Sequence, residues 1–187
     1  MKLVSLNIAR ASTLLTDQGA VTSGIRKQPR QGPVAVHAQG LDGDEQADLR
    51  FHGGISKAVY AYPQEHYAFW QTVRAQAGAQ AWNESLAPGA LGENLTITGL
   101  LEAEAWIGDV LRFPDCELAI SEPRQPCFKF NAVMGFKQAA KMMVQSGWCG
   151  FYLAVLKPGM IATGQSFELI PGPREVNIRE LFQARGG

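Results

Sequence analysis

Lys57-Ala58-Val59-Tyr60-Ala61-Tyr62-Pro63, followed at once by His66, Tyr67, Phe69, Trp70 and Val73, changes its hydrophobic period within a few residues. The first run is a strand of aromatic and β-branched residues stopped by a proline. The second spaces its apolar side chains three and four apart, as a helix with one inward face does. Upstream, Val4, Leu6 and Ile8 alternate with Ser5 and Asn7, which predicts a half-buried first strand. Residues 16–31 are polar and punctuated by Gly and Pro, and predict a loop. Val34, Val36 and Ala38 alternate again before the tight turn Gly40-Leu41-Asp42-Gly43-Asp44.

Downstream, strands are predicted over residues 92–98, 110–113, 117–121, 151–156 and 166–170. Asn131 can cap a helix running to about Gln145, with Met134, Ala140, Met143 and Val144 available for its buried face and Gly147 as its stop. After Val176, Asn177, Ile178, Leu181 and Phe182 predict a short terminal helix. Many short strands with a few peripheral helices make a mainly β fold with α (α+β), a mixed, largely antiparallel barrel or sandwich. The expected division is one domain over 1–175 and a short tail over 176–187.

The chain has 187 residues, enough for one hydrophobic core; 46% are hydrophobic and 18% charged, which argues against disorder. Lys+Arg and Asp+Glu are both 17, so no global field exists to hold nucleic acid or anionic lipid, and any anion site must be local. Ser5 and Asn7 interrupt the amino-terminal apolar run, which is wrong for a signal peptide. No run approaches the roughly 18 to 20 apolar residues that cross a bilayer. Cys116, Cys127 and Cys149 are odd in number and widely spaced, against a disulfide framework or a Cys-x-x-Cys site. A cytoplasmic protein with reduced thiols, without a membrane or nucleic-acid partner, is the expectation.

The most unusual local sequence is Ser121-Glu122-Pro123-Arg124-Gln125-Pro126-Cys127-Phe128-Lys129. Two prolines hold a loop outside any ladder and present the thiol between two cations, Arg124 and Lys129, which favour thiolate, the form that binds soft metals or attacks electrophiles. A buried cysteine flanked by a surface Arg and Lys fits the same spacing, and both readings stand. In His52-Gly53-Gly54-Ile55-Ser56-Lys57 the glycines allow close backbone approach, and the amides with Lys57 can hold a phosphate; a simple turn is the alternative. Gly92-Glu93-Asn94 either sets a carboxylate and an amide at a cleft or turns the chain. Asp42, Asp44 and Glu45 lack the ligand ladder of a calcium loop. His66 reads as structural and His37 as exposed, and the tryptophans as core.

Taken in order, Gly40-Leu41-Asp42-Gly43-Asp44-Glu45-Gln46-Ala47-Asp48, His52-Gly53-Gly54, Lys57-Ala58-Val59, Tyr62-Pro63-Gln64-Glu65-His66-Tyr67, Gly92-Glu93-Asn94-Leu95, Ile107-Gly108-Asp109 and Pro123-Arg124-Gln125-Pro126-Cys127 resemble the MOSC family, the domain found at the carboxyl end of molybdenum cofactor sulfurases. The resemblance covers nearly the whole chain and is closest to stand-alone bacterial YiiM-type members. It implies a β-barrel-like fold and a molybdenum cofactor (molybdopterin) whose metal is held by Cys127. It implies cofactor-binding roles for Arg124, Lys57, His52 and Asn94 beside Cys127, and catalytic roles for Cys127, His52 and Lys129. The implied activity is reduction of small N-hydroxylated substrates such as 6-hydroxylaminopurine to the amine, with electrons from a separate electron-transfer protein. Two other readings accompany it: a non-catalytic carrier of the cofactor or its sulfur, and a metal-free enzyme with Cys127 as nucleophile and His52 as base. The chain is shorter after Val176 than some YiiM-type members, which leaves the donor's identity open.

Overall fold

A computed structural model describes residues 1–47 and 53–186. Its strands are β1 (Lys2–Ile8), β2 (Ser12–Thr16), β3 (Gly19–Ser23), β4 (Gln28–Pro29), β5 (Val34–His37), β6 (Gly40–Leu41), β7 (Val59–Pro63), β8 (Leu95–Thr98), β9 (Val110–Arg112), β10 (Glu117–Pro123), β11 (Phe151–Lys157), β12 (Gly159–Ile161) and β13 (Glu168–Ile170). Its helices are α1 (Tyr67–Gln76), α2 (Phe128–Met134), α3 (Ala139–Ser146) and α4 (Ile178–Ala184). Eight strands form one sheet in the order β13-β9-β10-β11-β7-β8-β1-β4. Its pairings are antiparallel except β7 with β8, so the fold is mixed α+β, mostly sheet, as expected.

β7 lies in the middle of this sheet and is buried along its whole length, which is why it reads as a continuous apolar run and not as an alternation. Helix α1 follows it through a short 3₁₀ turn, Gln64–His66. Trp70 on α1 is fully buried, and its Nε1 donates to the Tyr62 hydroxyl at 2.6 Å; that hydroxyl donates in turn to the Trp148 carbonyl at 3.0 Å.

β1 departs from its expected alternation. Leu3 and Leu6 enter the core, Ser5 and Asn7 are buried with them, and Val4 and Ile8 are only half-buried. A register shift against β8 between Leu3 and Ser5 changes the phase of the strand. The buried amide of Asn7 is satisfied: its Nδ2 donates to the Glu93 carbonyl at 3.3 Å and to Thr96 Oγ1 at 3.1 Å, and its Oδ1 accepts from Ser5 at 2.7 Å.

The expected barrel is not closed among the described residues. The sheet curls until the segment before β13 meets β1, with Leu3 donating to Gln165 at 2.9 Å and Gly164 donating to Leu3 at 2.8 Å. One isolated bridge, Lys2 to Ser166, stands where a closing ladder would run. The opposite edge is β4, only two residues long, and its Pro29 has no amide to extend a ladder. A small second sheet, β12-β5-β6, sends Val34, Val36, Leu41 and Ile161 into the same core.

Two further expectations change. Part of the predicted loop over residues 16–31 forms the β2–β3 hairpin, whose strands bury little beyond Leu14 and so carry a faint period-2 signal. The single helix from Asn131 to Gln145 is two helices, because Gly135 takes a left-handed conformation (φ 78°) that ends α2. Asn131 sits inside α2, where its Oδ1 accepts the amide of Ala140 at 2.8 Å and so satisfies the first turn of α3. Gly147 ends α3 as expected. At the carboxyl end, Asn177 and Glu180 form a reciprocal capping box for α4, which buries Ile178 and Phe182 in the common core. Among the described residues no helix is long and apolar enough to cross a membrane.

Candidate cofactor site

Strand β10 ends at Pro123, which still pairs with Phe151 in the ladder, and α2 begins after Cys127, so Pro126 alone stiffens the short link between the two elements. Cys127 has extended backbone (φ −133°) at the start of α2 and is partly exposed. It lines a cleft with Arg124, Lys129, Lys57, Tyr60, Tyr152, Asn94, Gly24, Gly92, Lys27 and Asp44. The enclosed part measures about 90 Å³ and opens to solvent, so a large ligand would insert one end and leave its bulk at the mouth. The other two thiols are placed differently. Burial pushes Cys116 up to about 11 and Cys149 well above its ordinary value, so both stay protonated in the core. Cys127 is the thiol that faces the cleft.

Arg124 is 5% exposed. Its guanidinium carbon stands 5.1 Å from the Tyr60 ring centre, and one nitrogen contacts Met143 Sδ at 3.6 Å. Among the described residues no carboxylate forms an ion pair with it. Burial raises the Tyr60 and Tyr152 phenols, with the Arg124 charge acting in the opposite sense, so both remain neutral. The guanidinium is therefore a buried cation held by aromatic faces, without a matching negative charge from the described residues.

Lys57 reaches the cleft from the 3₁₀ turn Ile55–Lys57, where it pairs with Glu122 at 3.7 Å and lies 5.8 Å from the Tyr152 ring centre. The loop before it is less of a phosphate cradle than its glycines suggest. The Gly54 amide donates to Gln46 Oε1 at 3.1 Å and the Lys57 amide to the Gly54 carbonyl at 3.0 Å. His52 lies outside the described residues. Lys129 lines the same wall as Cys127, from the first turn of α2.

Asn94 also lines the cleft, with its side chain fully engaged. Its Oδ1 accepts from the Tyr60 amide at 3.1 Å, and its Nδ2 donates to the Asn7 carbonyl at 3.2 Å and to Asp44 Oδ2 at 3.0 Å. Asp44 also accepts from Lys27 at 2.6 Å and from the Ala9 amide at 2.8 Å. The acidic turn is thus a brace for the cleft wall. Lys27, Asp44, Tyr60 and Tyr152 were not singled out as site residues by sequence; the Lys27–Asp44 pair spans 17 residues and leaves no local pattern. Glu93 is buried behind this wall, accepting from the Gly89 and Leu91 amides and from the Tyr67 and Thr96 hydroxyls. Gly92, with its left-handed backbone, and Asn94 line the cleft, but the carboxylate of Glu93 is turned into the interior and does not reach it.

His66 is structural, as expected: it stacks on Trp148 with ring centres 4.5 Å apart and meets Glu102 at 2.8 Å. His37 is exposed. Among the described residues no three His, Cys, Asp or Glu side chains converge to hold a bare metal ion.

The model of the MOSC domain family matches residues 48–168. The chain is 39% identical over 178 residues to YflK of Bacillus subtilis, an alignment covering 95% of this chain and 77% of that protein. It is 36% identical over 172 residues to a protein of Gibberella moniliformis named a reductase, covering 89% of this chain but 30% of that longer one. The crystal structure of YiiM from Geobacillus stearothermophilus matches with a TM-score of 0.78 and 30% identity, over 99% of this chain and 83% of that one.

Proposed function

The chain belongs to the MOSC domain family, and from that premise we propose that it binds a molybdenum cofactor through Cys127 and reduces N-hydroxylated compounds with electrons from a separate protein. One observation carries the reading: the partly exposed thiol of Cys127 shares a cleft with the buried guanidinium of Arg124, which meets no carboxylate among the described residues. A buried cation without a counter-charge calls for an anion from the ligand, and a thiolate suits a soft metal. The donor set therefore fits a group that is anionic at one end and metallic at the other. The relative named a reductase supports the same class of chemistry.

A bound molybdenum centre would supply the two electrons that reductive cleavage of an N–O bond requires. Cys127 supplies one sulfur ligand. Arg124 holds the anionic part of the cofactor, with Lys57 at the mouth, and the Asn94–Asp44–Lys27 brace keeps the wall in place. Tyr60 and Tyr152 exclude water around Arg124. In the overall change the N–O bond breaks, two electrons and two protons are taken up, and the amine and water leave. Lys129 carries an ammonium on the wall beside Cys127, in position to give a proton to the departing oxygen. His52 is proposed for the same proton transfer.

The test is anaerobic reduction of 6-hydroxylaminopurine by protein from a host that makes the cofactor, with reduced viologen as donor. Turnover is expected. Molybdenum bound without turnover would leave a cofactor carrier, and neither metal nor turnover would overturn the reading.

A further inference from the structure

The charges of this neutral chain are not evenly spread. Residues 123–167 contain no Asp or Glu, yet hold Arg124, Lys129, Lys137, Lys141 and Lys157. Three of these, Lys129, Lys137 and Lys141, fall on α2, α3 and their connection. Among the described residues none of the three forms an ion pair, whereas Lys27, Lys57, Arg112, Arg174 and Arg185 each do. Lys137 and Lys141 are exposed.

Helix α2 and the connection that follows it border a groove of about 300 Å³ against the tip of the β2–β3 hairpin, and Lys141 lies on α3, four residues beyond Lys137. Leu15 and Phe136 line it, and Leu15 is 73% exposed, the most exposed large apolar side chain among the described residues. Asp17 is its one acid and Lys137 its cation. An apolar centre beside unpaired cations is the anatomy of a protein-docking surface. Cys127 stands immediately before α2, and the groove is reached along that helix, whose seven residues span about 10 Å.

Resting on the reductase reading above, we propose that the α2–α3 face with the hairpin tip docks an acidic electron-transfer protein of the plant-type ferredoxin class. The carrier's carboxylates meet Lys137 and Lys141 while its apolar rim covers Leu15 and Phe136. Such encounters are small, below about 1,200 Å² in total, and are steered by charge, so unpaired lysines beside a modest apolar spot suit them. Each visit delivers one electron from the reduced iron–sulfur cluster. Two visits supply the pair that breaks one N–O bond, the two protons coming from solvent through the cleft.

The test uses the full chain and a purified plant-type [2Fe–2S] ferredoxin, with binding followed by calorimetry at low and high salt and 6-hydroxylaminopurine reduction followed with ferredoxin or viologen as donor. The double variant K137E/K141E is expected to weaken ferredoxin binding about tenfold or more. Salt is expected to weaken wild-type binding similarly, and viologen-driven turnover should be unchanged in the variant. A second variant, Leu15→Glu, reports on the apolar centre without touching the helices and should weaken binding as well. Equal affinity of wild type and variants, or no salt-dependent binding, overturns the proposal. So does a single-stranded oligonucleotide that displaces ferredoxin from this face at lower concentration. Absent viologen turnover with ferredoxin binding intact would overturn the reductase reading and leave the docking surface standing.

Discussion

The guanidinium carbon of Arg124 lies 4.7 Å from the ring centre of Phe130, on the helix that Cys127 begins, so the cation and the thiol are fixed by one short element. Cation–π contact is worth up to about 2 kcal/mol when desolvated, but it does not neutralise a buried charge. Arg124 is therefore a cost to the ligand-free fold that an anionic ligand relieves. The variant R124M is expected to keep or raise the melting temperature while lowering retained molybdenum about tenfold or more, by the usual scale of perturbed metal sites. Paired thermal melts and elemental analysis check this; a melting temperature lowered with metal content unchanged would make Arg124 a structural residue.

Asp44 braces the cleft by holding Lys27, Asn94 and the Ala9 amide at once, with both side chains of the ion pair nearly buried. Removing the acid leaves an uncompensated cation and an orphaned amide. D44A is expected to lose about 3 to 5 kcal/mol of stability, the usual scale for breaking a buried pair. The double variant K27M/D44A should recover part of that loss. Urea denaturation of the four proteins of the cycle measures the coupling, and a coupling near zero would show that the brace is dispensable.

Much of this architecture is legible in the chain itself. The buried β7, the helix after Pro63 and the terminal helix at Ile178 announce themselves by period and capping residues. Cys127 and Arg124 stand out because Arg124 lies between two prolines and Cys127 directly follows the second. The β2–β3 hairpin does not, since Leu14 is the lone fully buried residue of its two strands and tertiary contact supplies what patterning lacks. The break at Gly135 was hidden for another reason: apolar residues continue across it in helical spacing, and only its left-handed backbone packed against Ala79 ends α2. The brace of Lys27, Asp44 and Asn94 is long-range polar geometry, which no local window contains.

Glu93 makes stability depend on pH. Its carboxyl is raised above the ordinary value by burial, with hydrogen bonds from Tyr67, Thr96 and the Gly89 amide opposing the shift. The folded state then binds a proton more tightly than the unfolded state. Glu93 therefore contributes most at low pH, and its contribution falls as pH rises from the unfolded value near about 4.3 through the raised folded value. E93Q removes that dependence and turns an amide NH₂ toward groups that already donate, at about 1 to 3 kcal/mol. The stability gap between wild type and E93Q should narrow as pH rises from 4.5 to 7.5. A gap that widens over that range would contradict the direction assigned to this carboxyl.

Cys127 is partly exposed, so replacing its sulfur should leave the fold intact while removing the one cysteine sulfur among the described cleft residues. The decisive measurement is molybdenum per chain in wild type and C127S made side by side in cells that synthesise the cofactor. Near-stoichiometric metal in the wild type and none in a folded C127S is expected. Equal molybdenum in the two proteins, or none in either, would show that this sulfur does not hold the metal.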